Sequence, residues 1–191
     1  MSILTEKLPD HLVVFGVECP IQCDFRIWLK ASALFEKIPD EPMLIVDVFR
    51  LIFGDKLPPN LQEATSKILE FYTRSPISET KKGNENGEVS KKSFDFEYDA
   101  DLIYASFLQQ YHIDLCDTDM HWWKFKALLN GLTEDTQFAK VVQYRTVDIS
   151  RIKDKEMKQF YIKMKSMYQL PDNRSEEQKE ESLNKALESM F

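Results

Sequence analysis

The side chains best suited to chemistry cluster in one short segment. Residues 112–121 hold His112, Asp114, Cys116, Asp117, Asp119 and His121, the densest run of potential metal ligands in the chain. An EF-hand started at Asp117 fails, because its sixth position is Trp122 where glycine is needed and its twelfth is Leu128 where glutamate is needed. The His and Cys spacings match no structural zinc pattern. Helix caps and solvated carboxylates account for the segment, so the expectation is no bound metal and no cofactor. Hydrolysis would require a nucleophile, a base and an orienting group within reach of one another. The chain has three histidines and no G-x-S-x-G, and its five glycines are scattered rather than gathered into a phosphate-binding loop. Paired carboxylates fall at predicted helix starts, where they favour the positive end of the helix dipole. The reading is a non-enzyme.

Residues 94–132 must position that segment, and they read as a densely packed helical hairpin. Ile103, Tyr104, Phe107, Leu108 and Tyr111 form one stripe at helical spacing, after a start crowded by Asp95, Glu97, Asp99 and Asp101. The helix stops around His112. Asp117 or Thr118 is placed to cap a second helix, on which Trp122, Phe125, Leu129 and Leu132 repeat. Gly131 stands where a helix end favours a left-handed residue.

The remaining elements follow in order. Residues 11–21, HLVVFGVECPI, predict a two-strand hairpin turning near Phe15-Gly16. Asp24 caps a helix with Phe25, Trp28, Leu29, Ser32 and Phe35 on one face. A second helix near Pro42 carries MLIVDVFRLIF, apolar nearly all round, and so is central to a core or covered by a partner. Asn60 and Glu63 have capping-box spacing for a third. Residues 76–93 are polar, with two of the five glycines, and predict a flexible linker. The fold class expected is therefore mainly α: two small helical lobes joined by that linker, with a short N-terminal β-hairpin. The lobes are 1–75, containing the hairpin and three helices, and 94–191. In the second lobe Thr133 caps a helix bearing Phe138, Val141 and Val142. Asp154 caps another with Met157, Phe160, Tyr161, Met164 and Tyr168. A last helix follows Leu170-Pro171.

Composition narrows the class of partner. With 25 Lys and Arg against 32 Asp and Glu the chain is net acidic, unlike a default nucleic-acid binder. The basic run Arg151, Lys153, Lys155, Lys158, Lys163 and Lys165 reads as the solvated side of an amphipathic helix. No apolar stretch approaches the ~20 residues of a membrane span. The N-terminal residues lack the pattern of a signal peptide. Three cysteines, an odd count, read as reduced thiols. Physics alone thus gives a soluble, mostly helical interaction protein.

A sharper reading comes from a resemblance. Asp99-Ala100-Asp101, Ile103-Tyr104-Ala105, Phe107, Gln109-Gln110-Tyr111, Ile113-Asp114-Leu115 and His121-Trp122-Trp123-Lys124-Phe125 carry it in the central stretch. Ala127-Leu128, Gly131-Leu132, Tyr144-Arg145 and Ile152-Lys153-Asp154-Lys155 follow, and Pro20-Ile21 and Asp24-Phe25-Arg26 precede. In these blocks the chain resembles a family of tail-assembly proteins of long, non-contractile-tailed phages, encoded next to the tape measure protein. His112 departs from the pattern, standing where a small residue, usually glycine, is expected. The resemblance implies a chaperone that coats the tape measure protein in the host cytoplasm and leaves as the tail tube polymerises. It implies the tape measure protein as partner, with a second tail-assembly protein and self-association left open. Leu183, Leu187, Met190 and Phe191 line one side of the last predicted helix and are the candidate partner-binding residues. The alternatives are a minor structural tail or connector protein of the virion and a helical nucleic-acid-binding regulator. Particle analysis discriminates the first, and a salt-dependent gel shift the second.

Overall fold

The computed structural model describes residues 3–74 and 92–171. Two strands and seven α-helices are found among them. Strands β1 (His11–Val14) and β2 (Val17–Pro20) pair antiparallel, with His11 opposite Pro20 and Val14 opposite Val17. Phe15 and Gly16, with φ of 55° and 76°, make the two-residue turn. Positive φ at both central positions matches the twist of the flanking strands.

Helix α1 (Phe25–Lys37) starts where Asp24 accepts the Arg26 N–H, and it buries Phe25, Trp28, Ala31 and Ser32. Helix α2 (Leu44–Phe53) buries Val48, Phe49, Ile52 and Phe53 and closes at Gly54 with φ 66°. Its strongly apolar sequence is thus partly explained by the core. Helix α3 (Leu61–Thr73) is capped by Asn60, whose side chain accepts the Glu63 N–H. The reciprocal half of the capping box is absent. The Glu63 carboxylate instead accepts the Phe15 N–H at 3.0 Å, tying the hairpin turn to α3.

Helices α4 (Ala100–Tyr111) and α5 (Trp122–Asn130) form the expected hairpin. His112 closes α4 in the left-handed conformation, φ 56° and ψ 32°. The position does call for a left-handed residue, and a side chain with a Cβ sits there at some conformational cost. Three expected caps are corrected. His121, not Asp117 or Thr118, caps α5. Helix α6 (Gln137–Thr146) is capped by Thr136, whose hydroxyl accepts the Ala139 N–H, rather than by Thr133. Gly131 is not left-handed, having φ −91°. Its lack of a side chain matters for space instead, since a Cβ there would lie 3.0 Å from the Tyr111 hydroxyl. That hydroxyl donates to the Leu128 carbonyl at 2.8 Å, holding the end of α5 against α4. Helix α7 (Lys155–Met167) follows a 3-10 turn at Ile149–Arg151 and starts at Asp154.

One core unites elements on both sides of residues 76–93. Trp28, Ile52, Ile68, Phe107, Trp122 and Phe125 are all essentially inaccessible and belong to the same cluster. The compact units accordingly divide after Val142 rather than across 76–93. The polarity of 76–93 does not make its flanks independent, because the aromatic faces of α1, α3 and α5 need one another to leave water. The flexibility expected of the linker concerns residues that lie, up to Ser90 and Lys91, outside the described ones.

The second unit, described here over residues 143–171, is small. Tyr144 stacks on Tyr168 at 5.8 Å and meets Phe160 and Tyr161 edge-on. Arg145 donates to the Tyr168 carbonyl, and Lys165 to that of Val147. No residue of α7 is buried.

Candidate functional site

The two sequence blocks Asp24-Phe25-Arg26 and His121–Phe125 lie almost a hundred residues apart and meet in space. Asp24 and His121 form an isolated antiparallel bridge. Around it the Phe25 N–H donates to Met120 and the Trp122 N–H donates to Cys23, at 2.9 and 2.8 Å. The starts of α1 and α5 are therefore joined backbone to backbone. Side chains complete the joint. The Phe25 ring stacks on Phe125 at 4.7 Å, and Phe125 stacks in turn on Phe107 at 5.2 Å.

Arg26 fixes the loop that leads into α5. Its Nη2 donates to the carbonyls of Leu115, Cys116 and Thr118 at 2.8, 2.9 and 3.1 Å. Its Nη1 pairs with Asp24 at 3.1 Å and lies 3.6 Å from Asp119. A guanidinium presents several donors in one plane, which suits a cup of carbonyls.

His121 is a cap and a strut. Its Nδ1 accepts the Trp123 N–H at 3.0 Å. Its Nε2 lies 3.0 Å from the Pro9 carbonyl, which can only accept, so the proton sits on Nε2 and the ring is neutral. Burial lowers its pKa below the usual 6.5; the Pro9 bond works against that, and the charge of Lys124 works with it.

The two tryptophans cap the far end of α3. Trp123 Nε1 donates to the Phe71 carbonyl at 2.8 Å and Trp122 Nε1 to that of Tyr72 at 3.2 Å. Lys126 donates to Tyr72 as well, at 2.7 Å. Its ammonium also lies over the rings of Tyr72 and Trp122. Burial, first, and the charge of Arg74 lower the Lys126 pKa. The last carbonyls of a helix lack partners within it, and here α5 supplies them. Both tryptophans are buried, at 0% and 8% exposure; Trp122 stacks on Trp28 and Tyr72, and Trp123 lies tilted against Phe71.

The segment 112–121 is thus drawn into this joint. Asp114 accepts the Cys116 N–H and, at 3.3 Å, the Tyr104 hydroxyl. Asp119 is fully exposed beside Arg26, and Cys116 is an exposed thiol. Among the described residues no three His, Cys, Asp or Glu side chains gather to hold an ion. Cys23 is no reactive thiol: burial, helped by the charge of Asp10, pushes it up to about 11. A surface depression lined by Asp10, His11, Glu18 and Pro20 contains no nucleophile. His11 there bonds Asp10 at 2.9 Å.

The candidate partner residues Leu183, Leu187, Met190 and Phe191 lie outside the described residues. What the sequence reading missed is the capping role of the indoles, of Lys126 and of Arg26. Each acts on carbonyls at least fifty positions away, and spacing along the chain carries no trace of such contacts. It also missed the apolar exposure on α7, where Met157, Phe160, Ile162 and Met167 are each about half exposed or more.

No helix among the described residues is long and apolar enough to cross a membrane. Comparison with curated proteins finds no match, and neither does comparison with solved structures. The family model described as Bacteriophage Gp15 protein matches residues 4–170, a span that takes in the joint and both compact units as far as they are described. The chain belongs to the bacteriophage Gp15 protein family.

Proposed function

We propose that this phage protein is a non-enzymatic tail-assembly chaperone that binds the tape measure protein in the host cytoplasm. Two of the blocks that carry the resemblance to tail-assembly proteins, Asp24-Phe25-Arg26 and His121–Phe125, meet at a joint whose polar groups are engaged in holding helices together. Asp24, Arg26, His121, both indoles and Lys126 all have structural partners there. That favours a binding role over catalysis.

The observation that carries the reading is α7. Met157, Phe160, Ile162 and Met167 are about half exposed or more, on a helix with no fully buried residue. An amphipathic helix with an uncovered apolar face is suited to pair with the helices of another chain. The tape measure protein, with a second tail-assembly protein or a second copy as further partners, is the occupant that the resemblance supplies. Leu183, Leu187, Met190 and Phe191, which lie outside the described residues, are the further candidate contacts.

Co-expression tests the reading. Tape measure fragments that precipitate alone should stay soluble and co-purify with the full chain, and the protein should be absent from purified particles. Fragments that remain as insoluble as they are alone would overturn the chaperone role. Abundant protein in the particles would favour the structural tail component instead.

A further inference from the structure

The turn of the β-hairpin places its largest side chain in solvent. Phe15 is 73% exposed and has φ 55°, at the first central position of the two-residue turn. Positive φ there favours Gly, Asn or Asp, and a bulky residue adopts it at a conformational cost. Gly16 already supplies half of the preferred Asn-Gly pair. The ring offsets the cost with little burial of its own. Strain of this kind persists where the surrounding structure fixes it, and it concentrates at binding and switch sites. Here Glu63 of α3 fixes it by accepting the Phe15 N–H at 3.0 Å. Leu12, Val14 and Cys19 anchor the strands behind it in the core. The tip is therefore a preorganised aromatic knob, and a side chain on a fixed backbone loses less freedom on binding.

The neighbours set the chemistry of what it fits. Val13 and Val17 flank the turn, 48% and 50% exposed. Val13 stands opposite Glu18, so the two share one face of the hairpin. The strands and turn, residues 11–20, contain no Lys or Arg. Their charged side chain is Glu18, 76% exposed, with His11 3.9 Å away. Glu63 adds a second carboxylate at the turn. Such a tip is poorly matched to its own copy, since tip on tip would bring like charges together. Three side chains also fall short of the roughly 1,000 Å² that a stable interface buries. A weak, reversible contact with an apolar surface of opposite edge charge satisfies both facts.

We propose that the hairpin tip, with Phe15 at its centre between Val13 and Val17, is a docking point for a partner segment that presents an apolar face edged with lysine or arginine. Phe15 enters the apolar face, and Glu18 meets the cationic edge. The site lies on a different element from α7, and it stands whether or not the partner is the tape measure protein.

The test is an NMR titration of the isotope-labelled full chain with a synthetic amphipathic helical peptide that has a leucine face and a lysine edge. A counterpart with glutamate in place of each lysine is the comparison. Saturable shifts should concentrate at residues 12–18 for the lysine peptide, and the glutamate peptide should bind at least about tenfold more weakly. F15N should weaken the lysine peptide by at least about tenfold as well, as loss of a central aromatic anchor does. Because asparagine suits this turn, the melting temperature of F15N should hold or rise by up to about 4 °C. Tryptophan fluorescence reads that melt, since Trp28, Trp122 and Trp123 all lie in the unit that carries the hairpin. Shifts centred elsewhere, equal binding of the two peptides, or wild-type binding by F15N overturn the proposal. A lower melting temperature for F15N assigns the ring to the fold and overturns it too. Shifts at the tip on concentrating the chain alone overturn it in favour of a second copy.

Discussion

A neutral histidine at a helix start makes part of the stability depend on pH. Protonating His121 at Nδ1 would replace an acceptor by a donor facing the Trp123 N–H. Its folded pKa is depressed, chiefly by burial, so the unfolded chain binds this proton more readily than the folded one. The associated stability is therefore complete above the ordinary value of 6.5 and is lost as pH falls through the lower folded value. Asparagine can cap a helix without titrating in this range. Thermal melts of H121N should fall less steeply than those of the wild type below pH 6.5. Parallel curves would mean that the cap is not coupled to protonation. The cap was hidden in the sequence because histidine is not among the preferred capping residues, whereas Asp117 and Thr118, which are polar and better suited, stand just ahead of it. Asp24, Asn60 and Asp154 were legible because each is a strong capping type immediately before an apolar repeat, and each does accept the expected N–H.

At the scale of elements, Arg26 determines how the 113–120 loop enters α5. One guanidinium serves three carbonyls and a carboxylate. Lysine keeps the charge but not the planar fork, so R26K leaves most of these acceptors to water or unpaired. The cost should be about 1–2 kcal/mol, moderated because the side chain is partly exposed. It should appear as a lower denaturant midpoint, with faster amide exchange concentrated in the loop. Unchanged exchange there would show that backbone pairing at Phe25 and Trp122 suffices. The helices themselves were readable from spacing, since α1, α3, α4 and α5 bury much of the stripes their periodicity marks, although Leu61 and Leu108 stay exposed and Leu132 falls beyond the end of α5. On α7 the helix and its Asp154 cap are present, but its apolar face is only partly covered. Met157 and Phe160 keep helical spacing yet stay exposed, because spacing shows that a face is apolar and not what covers it.

For the whole molecule, a single core holding Trp28, Phe71, Phe107 and Trp122 replaces the first of two separate lobes expected from the polarity of 76–93. Composition set residues 76–93 apart by their polarity, but only tertiary packing could show that both flanks contribute to one core. For the proposed binding role, the blocks Asp24-Phe25-Arg26 and His121–Phe125 belong to the scaffold, and the surfaces open to a partner are those the scaffold leaves uncovered. The most direct measurement is calorimetric titration of the purified full chain with a soluble segment of the tape measure protein at low and moderate salt. An apolar helix-on-helix contact buries nonpolar area, so saturable binding with a negative heat-capacity change is expected. The affinity should change little with salt, because screening weakens exposed charge pairs far more than apolar contacts. No binding, or an affinity that collapses as salt rises, would contradict the account.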